Sequence, residues 1–167
     1  MSTQNKQTIS LVFSFRNEED VLQELINRVV KSLGKVNYEY ELIFVNDAST
    51  DKSLEILEEN RKRNQRIKII NMSRKFGVSP CVMAGLRYAS GNCVIFMDSD
   101  LQDPPETLPE LIRKWEDGND VVHTVRTKRK GENFIRMILV KIAYKIIDAV
   151  SDIKIIHNSG NFKLISR

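Results

Sequence analysis

From Thr8 to Val125 the chain repeats one pattern: a short apolar run, a polar loop, then a stretch with helical periodicity. The apolar runs are Thr8 to Phe15, Leu42 to Val45, Ile67 to Met72, Val94 to Met97, and one beginning at Asp120 and ending at Val125. Each is short, rich in β-branched or aromatic residues and bounded by turn-formers, as suits a strand buried on both faces. Between them, Val21, Leu22, Leu25, Ile26, Val29, Val30 and Leu33 recur at helical spacing, with Gly34 as a stop. Residues from about 52 to 64 form a second helix capped by the polar group Asn46 to Asp51. A third carries Val82, Met83, Leu86 and Tyr88 toward Gly91, and a fourth shows Leu108, Leu111, Ile112 and Trp115 on one face. Strands alternating with helices predict an α/β fold with a mainly parallel sheet and right-handed crossovers. With 167 residues, 41% of them hydrophobic, one core is expected and the whole chain, 1–167, reads as a single domain.

Polar residues gather where the first, second and fourth strands end: Asn17-Glu18-Glu19, Asn46-Asp47 and Asp98-Ser99-Asp100. Ligands bind at the carboxyl ends of strands in such sheets. Asp98 and Asp100, two apart in an extended segment, can turn their oxygens to one hard cation, with Gln102 as a neutral oxygen ligand. Magnesium or manganese fits this set; zinc lacks its usual thiolates and imidazoles. The plainer reading is an acidic turn that caps the helix after Pro104 and Pro105. Crowded carboxylates repel, and a divalent cation or a ligand rich in hydroxyls and N–H donors relieves the repulsion. A nucleotide sugar offers both. No GxxxxGK[ST] and no GxGxxG after the first strand is present, which argues against a P-loop kinase or a dinucleotide-binding dehydrogenase.

Beyond Arg126 the pattern changes. From Arg126 to Arg167 ten Lys or Arg face three Asp or Glu, so the excess of positive charge lies in the last quarter. Residues 127–132 read as a basic loop and 134–150 as an amphipathic helix, suited to the core or to a membrane surface. Asn158 to Arg167 alternates like a last strand. The basic segment suits an anion, but without an aromatic platform or recognition motif it gives no support to nucleic-acid binding. Cys81 and Cys93 read as reduced core residues, and His123, His157, Ser99 and Ser159 have no partner that would make a catalytic pair. No apolar run reaches bilayer-spanning length, and Met1 to Thr8 has no signal-peptide core.

These residues resemble the inverting nucleotide-sugar glycosyltransferases of the GT-A fold, glycosyltransferase family 2, and among them the polyprenyl-phosphate sugar transferases related to dolichyl-phosphate mannose synthase. Ser14 to Glu19 is similar to the family's Pro-Val-Tyr-Asn-Glu-Glu, Val45 to Asp51 to its Val-Asp/Asn-Asp-Gly-Ser-Thr-Asp, and Ser73 to Gly77 to its Ser-Arg-Asn-Phe-Gly. Met97 to Glu106 nearly reproduces Met-Asp-Ala-Asp-Leu-Gln-Asp-Pro-Pro-Glu. The resemblance implies a Rossmann-like sheet in which Phe15, Asn17, Glu18, Asp47, Asp98 and Ser99 bind the nucleotide sugar. It implies Asp98, Asp100 and Gln102 as ligands of Mg2+ or Mn2+, with Asp98, Asp100 and Arg126 catalytic. Arg126, Arg129 and Lys130 would meet the acceptor's phosphate. Ser14 and Arg16 replace the family's Pro and Tyr, and Asn161 stands where it has an aspartate.

The expected function is therefore metal-dependent, inverting transfer of a sugar, of the hexosyltransferase type, from a nucleotide-diphosphate donor to an undecaprenyl- or dolichyl-type phosphate, as in cell-envelope glycan synthesis. The resemblance implies a membrane surface as partner, no nucleic acid, and leaves room for a homo-oligomer. Relatives continue into amphipathic and membrane-spanning helices, so the chain is expected to be chiefly the catalytic part of a longer protein at the cytoplasmic membrane face, and itself soluble or peripheral. The alternatives are a GT-A enzyme with a saccharide acceptor and a non-catalytic nucleotide-sugar-binding module.

Overall fold

In a computed structural model, which describes residues 7–125 and 159–167, the sheet is built around its first strand. β1 (Thr8–Phe15) is buried from Ile9 onward and pairs in parallel with β2 (Glu39–Asn46) on one side and β4 (Cys93–Asp98) on the other. β3 (Ile67–Asn71) extends the sheet in parallel beyond β2. The last strand, β6 (Ser159–Ser166), runs antiparallel to β4, and β5 (Val121–Val125) lies at the edge, giving the order β3-β2-β1-β4-β6-β5. Strands read from apolar runs are thus present, and the α/β reading holds with one antiparallel member.

Residues alternate across β1. Ile9, Leu11, Phe13 and Phe15 face one core, into which α1 (Leu22–Leu33) sends Leu22, Leu25, Ile26 and Val29, and α4 (Leu108–Glu116) sends Leu108, Leu111 and Ile112. Phe13 stacks on Phe44 with ring centroids 4.6 Å apart. Val12 faces the opposite core with Ile43, Val45, Val94 and Phe96, beneath α3 (Val78–Tyr88). Leu57 of α2 (Ser53–Arg63) is fully buried in the first core.

α3 differs in part from its sequence pattern. Its buried positions are Cys81 and Gly85, whereas Met83 and Tyr88 are exposed. The helix approaches the sheet through Gly85, where an added Cβ would stand 2.3 Å from Val12 Cγ1 and 3.2 Å from Val45 Cγ2. Cys81 and Gly85 therefore set the closest approach, while Val82 and Leu86 pack half-buried against the same core, as their spacing predicts. Gly85→Ala is expected to cost about 2 kcal/mol through overpacking, read as a lower urea midpoint at unchanged slope; an unchanged midpoint would mean that Val12 yields freely.

Both Cys81 and Cys93 are buried free thiols, as expected of core residues. Among the described residues, no helix is long and apolar enough to cross a membrane. The chain divides into a unit of Met1–Val122 with Asn161–Arg167 and a second of His123–Gly160. The expected loop at 127–132, the helix at 134–150 and His157 lie outside the described residues, as do Arg126, Arg129 and Lys130.

Candidate functional site

Parallel pairing brings the carboxyl ends of β1, β2 and β4 to one rim, with Ser14 opposite both Val45 and Asp98. Antiparallel β6 arrives at the same rim with its first residues, which places Asn161 beside Asp98. A cavity of about 350 Å³ opens there. Its wall includes Ser14, Phe15, Arg16 and Glu18 from β1 and the loop after it, Asp47 after β2, Asp98, Ser99 and Asp100 at the end of β4, and Asn161. Lys75, Gly77 and Val78, at the start of α3, complete it.

The loop after β1 and the loop after β2 are tied together. Arg16 Nη1 donates to the carbonyls of Asp47 and Ala48, each at 2.6 Å. Thr50 N–H donates to Asn17 Oδ1 at 2.8 Å, Asn17 N–H to Ser49 Oγ at 3.1 Å, and Glu18 N–H to Ser53 Oγ at 2.8 Å. Lys52 N–H donates to Glu19 Oε2 at 2.8 Å. Asn17 is exposed and lies outside the cavity wall; its side chain joins the two loops. Ala48 sits in this knot at φ 53°, a left-handed conformation that costs an L-residue roughly 1–2 kcal/mol. Ala48→Gly is expected to raise stability by about 0.5 kcal/mol, since relief of that strain exceeds the added entropy of the unfolded chain; a lower thermal midpoint would show the strain to be absent.

Asp47 closes the amino end of α3. Its two carboxylate oxygens accept from the N–H groups of Phe76 at 2.6 Å and Gly77 at 2.9 Å. Burial pushes its pKa up, but these bonds outweigh burial and hold it below the ordinary range, so Asp47 is ionised at neutral pH. Glu18 behaves oppositely. Burial, then the charges of Asp100 and Asp51, push its carboxyl up. The mutual repulsion inferred from the crowded strand ends is present between these residues.

Asp98 accepts from Asn161 Nδ2 at 3.3 Å and 3.2 Å, and Asp100 Oδ1 accepts the Gln102 N–H at 3.0 Å. Ser99 is buried and donates its hydroxyl to the Ser14 carbonyl at 3.0 Å. Gln102 is exposed and is not part of the wall. Glu106, the last residue of the motif, is engaged elsewhere: Arg28 donates to it from Nε at 2.8 Å and Nη2 at 2.7 Å, and the pairing holds its pKa down to about 2.

Among the described residues no three His, Cys, Asp or Glu side chains come together as a cage for a metal. Two carboxylates on one wall, Asp98 and Asp100, still fit a hard divalent cation of the magnesium type. Such ions take one or two protein carboxylates and complete their shell with water and substrate phosphates. Burial is the main cause of the raised Glu18 pKa, and the charges of Asp100 and Asp51, which add to it, are the part that a cation would relieve.

The structure thus brings together Phe15, Glu18, Asp47, Asp98, Ser99 and Asp100 around one cavity, and leaves Asn17 and Gln102 off its wall. Lys75 on that wall was not singled out from the sequence. The only signal for it is the Ser73 to Gly77 segment at the end of the third strand.

A family model described as Glycosyl transferase family 2 matches residues 10–167. The chain is 43% identical over 158 residues to an uncharacterized glycosyltransferase, YkcC, of Bacillus subtilis, covering 95% of this chain and 49% of that protein. It is 42% identical over 153 residues to the undecaprenyl-phosphate 4-deoxy-4-formamido-L-arabinose transferase of Proteus mirabilis, covering 90% and 45%. Among solved structures, Staphylococcus aureus TarS 1–349 in complex with UDP-GlcNAc superposes with a TM-score of 0.60 at 28% identity, covering 75% of this chain and 36% of that one. The chain spans about half the length of these two curated relatives.

Proposed function

Because the chain belongs to glycosyl transferase family 2 and has the GT-A fold, we propose that it is the catalytic part of a metal-dependent, inverting transferase moving a sugar from a nucleoside diphosphate to a polyprenyl phosphate. The observation that carries this reading is the cavity across the strand ends, with Asp98 and Asp100 on its wall, Arg16 after β1 and Asp47 after β2. In this reading Asp98 and Asp100 hold Mg2+ or Mn2+ against the donor diphosphate, and Phe15, Glu18 and Asp47 surround its nucleoside. The bound cation supplies positive charge to the leaving diphosphate.

The chain's own residues position and shield. Asn161 donates to Asp98 and keeps that carboxylate aimed without adding charge to a crowded wall. An amide cannot accept a proton as a general base, which favours an acceptor that is already ionised at neutral pH, as a lipid phosphate is. The basic residues Arg126, Arg129 and Lys130 are assigned to that phosphate on their charge and place in the sequence. Attack on the anomeric carbon from the side opposite the diphosphate inverts the centre, with orientation and electrostatics as the main sources of rate. The relation to the Proteus mirabilis undecaprenyl-phosphate transferase supports this acceptor class, and with it a site of action at a membrane surface.

Calorimetric titration with UDP- and GDP-sugars, each with Mn2+ and with chelator, tests the donor half. Metal-dependent binding of one nucleotide sugar is expected. Binding unaffected by chelator would overturn the metal assignment. Transfer to a saccharide acceptor but not to undecaprenyl phosphate would overturn the acceptor.

A further inference from the structure

The Arg16 guanidinium carries five N–H donors, and its hydrogen bonds among the described residues are both made by Nη1, to the carbonyls of Asp47 and Ala48. The Nε and Nη2 donors remain on a residue of the cavity wall. A guanidinium fixed at one corner by two short bonds is a stiff fork. It costs little further entropy to engage a planar acceptor.

Place within the sheet says which part of a ligand meets it. The cavity crosses the ends of β2, β1, β4 and β6, and neighbouring strands lie roughly 4.8 Å apart. Asp47 therefore stands about 10 Å, two strand spacings, from Asp98, and the Arg16 guanidinium, bonded to the Asp47 carbonyl, lies beside it. A nucleoside diphosphate whose phosphates lie at Asp98 and Asp100 brings its base to Arg16 and Asp47. The Asp47 carboxylate accepts two backbone N–H bonds and the Cys81 thiol, and of its roughly four lone-pair sites one remains.

From this juxtaposition, which rests on the donor-site reading above, we infer that Arg16 is a specificity-determining residue that, with Asp47, selects nucleotides whose base presents a ring carbonyl beside a ring N–H. Arg16 donates to the carbonyl oxygen and Asp47 accepts from the N–H. Uracil and guanine offer this edge. Cytosine and adenine carry an amino group and a bare ring nitrogen at the same places, which sets donor against donor and acceptor against acceptor. The family pattern has Tyr at position 16, so this recognition belongs to the departure and not to the shared motif.

The test is titration of UDP, GDP, CDP and ADP, each with Mn2+, into the wild-type chain, Arg16→Lys and Arg16→Met. The wild type is expected to prefer UDP or GDP over CDP and ADP by roughly ten- to a hundredfold, the discrimination of one good bidentate contact. In Arg16→Met the preference should shrink to within about threefold, and Arg16→Lys, with a point charge and no fork, should fall between. A merely structural role for Arg16 would weaken all four nucleotides alike and leave their ratios unchanged; that result overturns the inference. Equal wild-type affinity for all four overturns it too, while the donor site stands. A wild type that binds none of them removes the donor-site reading itself, and the role of Arg16 with it.

Discussion

Asp100→Asn is expected to reduce Mn2+-dependent donor affinity by roughly a hundredfold, at the upper end of what loss of a metal-supporting group costs, while leaving the melting temperature within a few degrees of the wild type. The fold is spared because the residue lies in the loop after β4, and the Asn carbonyl can still accept the Gln102 N–H that Asp100 Oδ1 accepts now. What is lost is charge, on a wall where charge holds the cation. The same substitution has a second readout that needs no ligand. Glu18 titrates above the ordinary range first through burial and then through Asp100. Removing the Asp100 charge should bring the Glu18 pKa down, though not to the value of an exposed glutamate, as followed by carboxyl-carbon NMR. Equal donor affinity in the mutant would refute the metal assignment; an unmoved Glu18 would refute the electrostatic coupling.

Glu41→Ala should lower stability by about 3 kcal/mol. Glu41 lies near the start of β2, at the end of the sheet away from the cavity, and is almost fully buried. Its Oε1 accepts from Ser10 Oγ at 2.5 Å and from the Ser90 N–H and hydroxyl at 2.7 and 2.9 Å; Lys68 Nζ donates to Oε2. One carboxylate thus joins β1, β2, β3 and the turn before β4. Truncation leaves several of these donors without a partner. Burial pushes the Glu41 pKa up, yet the bonds from Lys68, Ser10 and Ser90 outweigh it and hold the value below ordinary. A carboxyl depressed in the fold stabilises fully above its unfolded pKa, about 4.3, and loses that contribution as the pH falls through the folded value. Denaturant midpoints between pH 7 and pH 3 should therefore decline less steeply in Glu41→Ala than in the wild type. Parallel decline would mean that another carboxylate governs acid unfolding.

Local pattern made much of this molecule legible. The runs Thr8 to Phe15, Leu42 to Val45 and Val94 to Met97 became the three adjacent central strands because a strand buried on both faces is apolar along nearly its whole length, with Ser10 and Ser14 the buried polar exceptions in β1. Val21 to Leu33 and Leu108 to Trp115 became helices because one helical stripe carries their apolar residues. The acidic strand ends marked the rim for the same reason: parallel pairing sends every carboxyl end the same way. In α3 the pattern misled in part. Val82 and Leu86 pack against the second core as the pattern suggests, but Met83 and Tyr88 are exposed, and the closest contact runs through Cys81 and Gly85 because approach to Val12 admits no Cβ.

Sequence by itself determined the elements, the rim and the carboxylates on it, since each follows from periodicity or from chain direction within a few residues. Only the tertiary structure decided which of those side chains share the cavity. Asn17 and Gln102 sit within motifs as specific as those of Asp47 and Asp100, yet Asn17 knots two loops 32 and 33 residues apart and Gln102 faces outward. Asn161 reaches Asp98 across 63 residues because β6 turns back antiparallel to β4. Such pairings depend on distances between strands far apart in the chain, and no spacing along the chain encodes them.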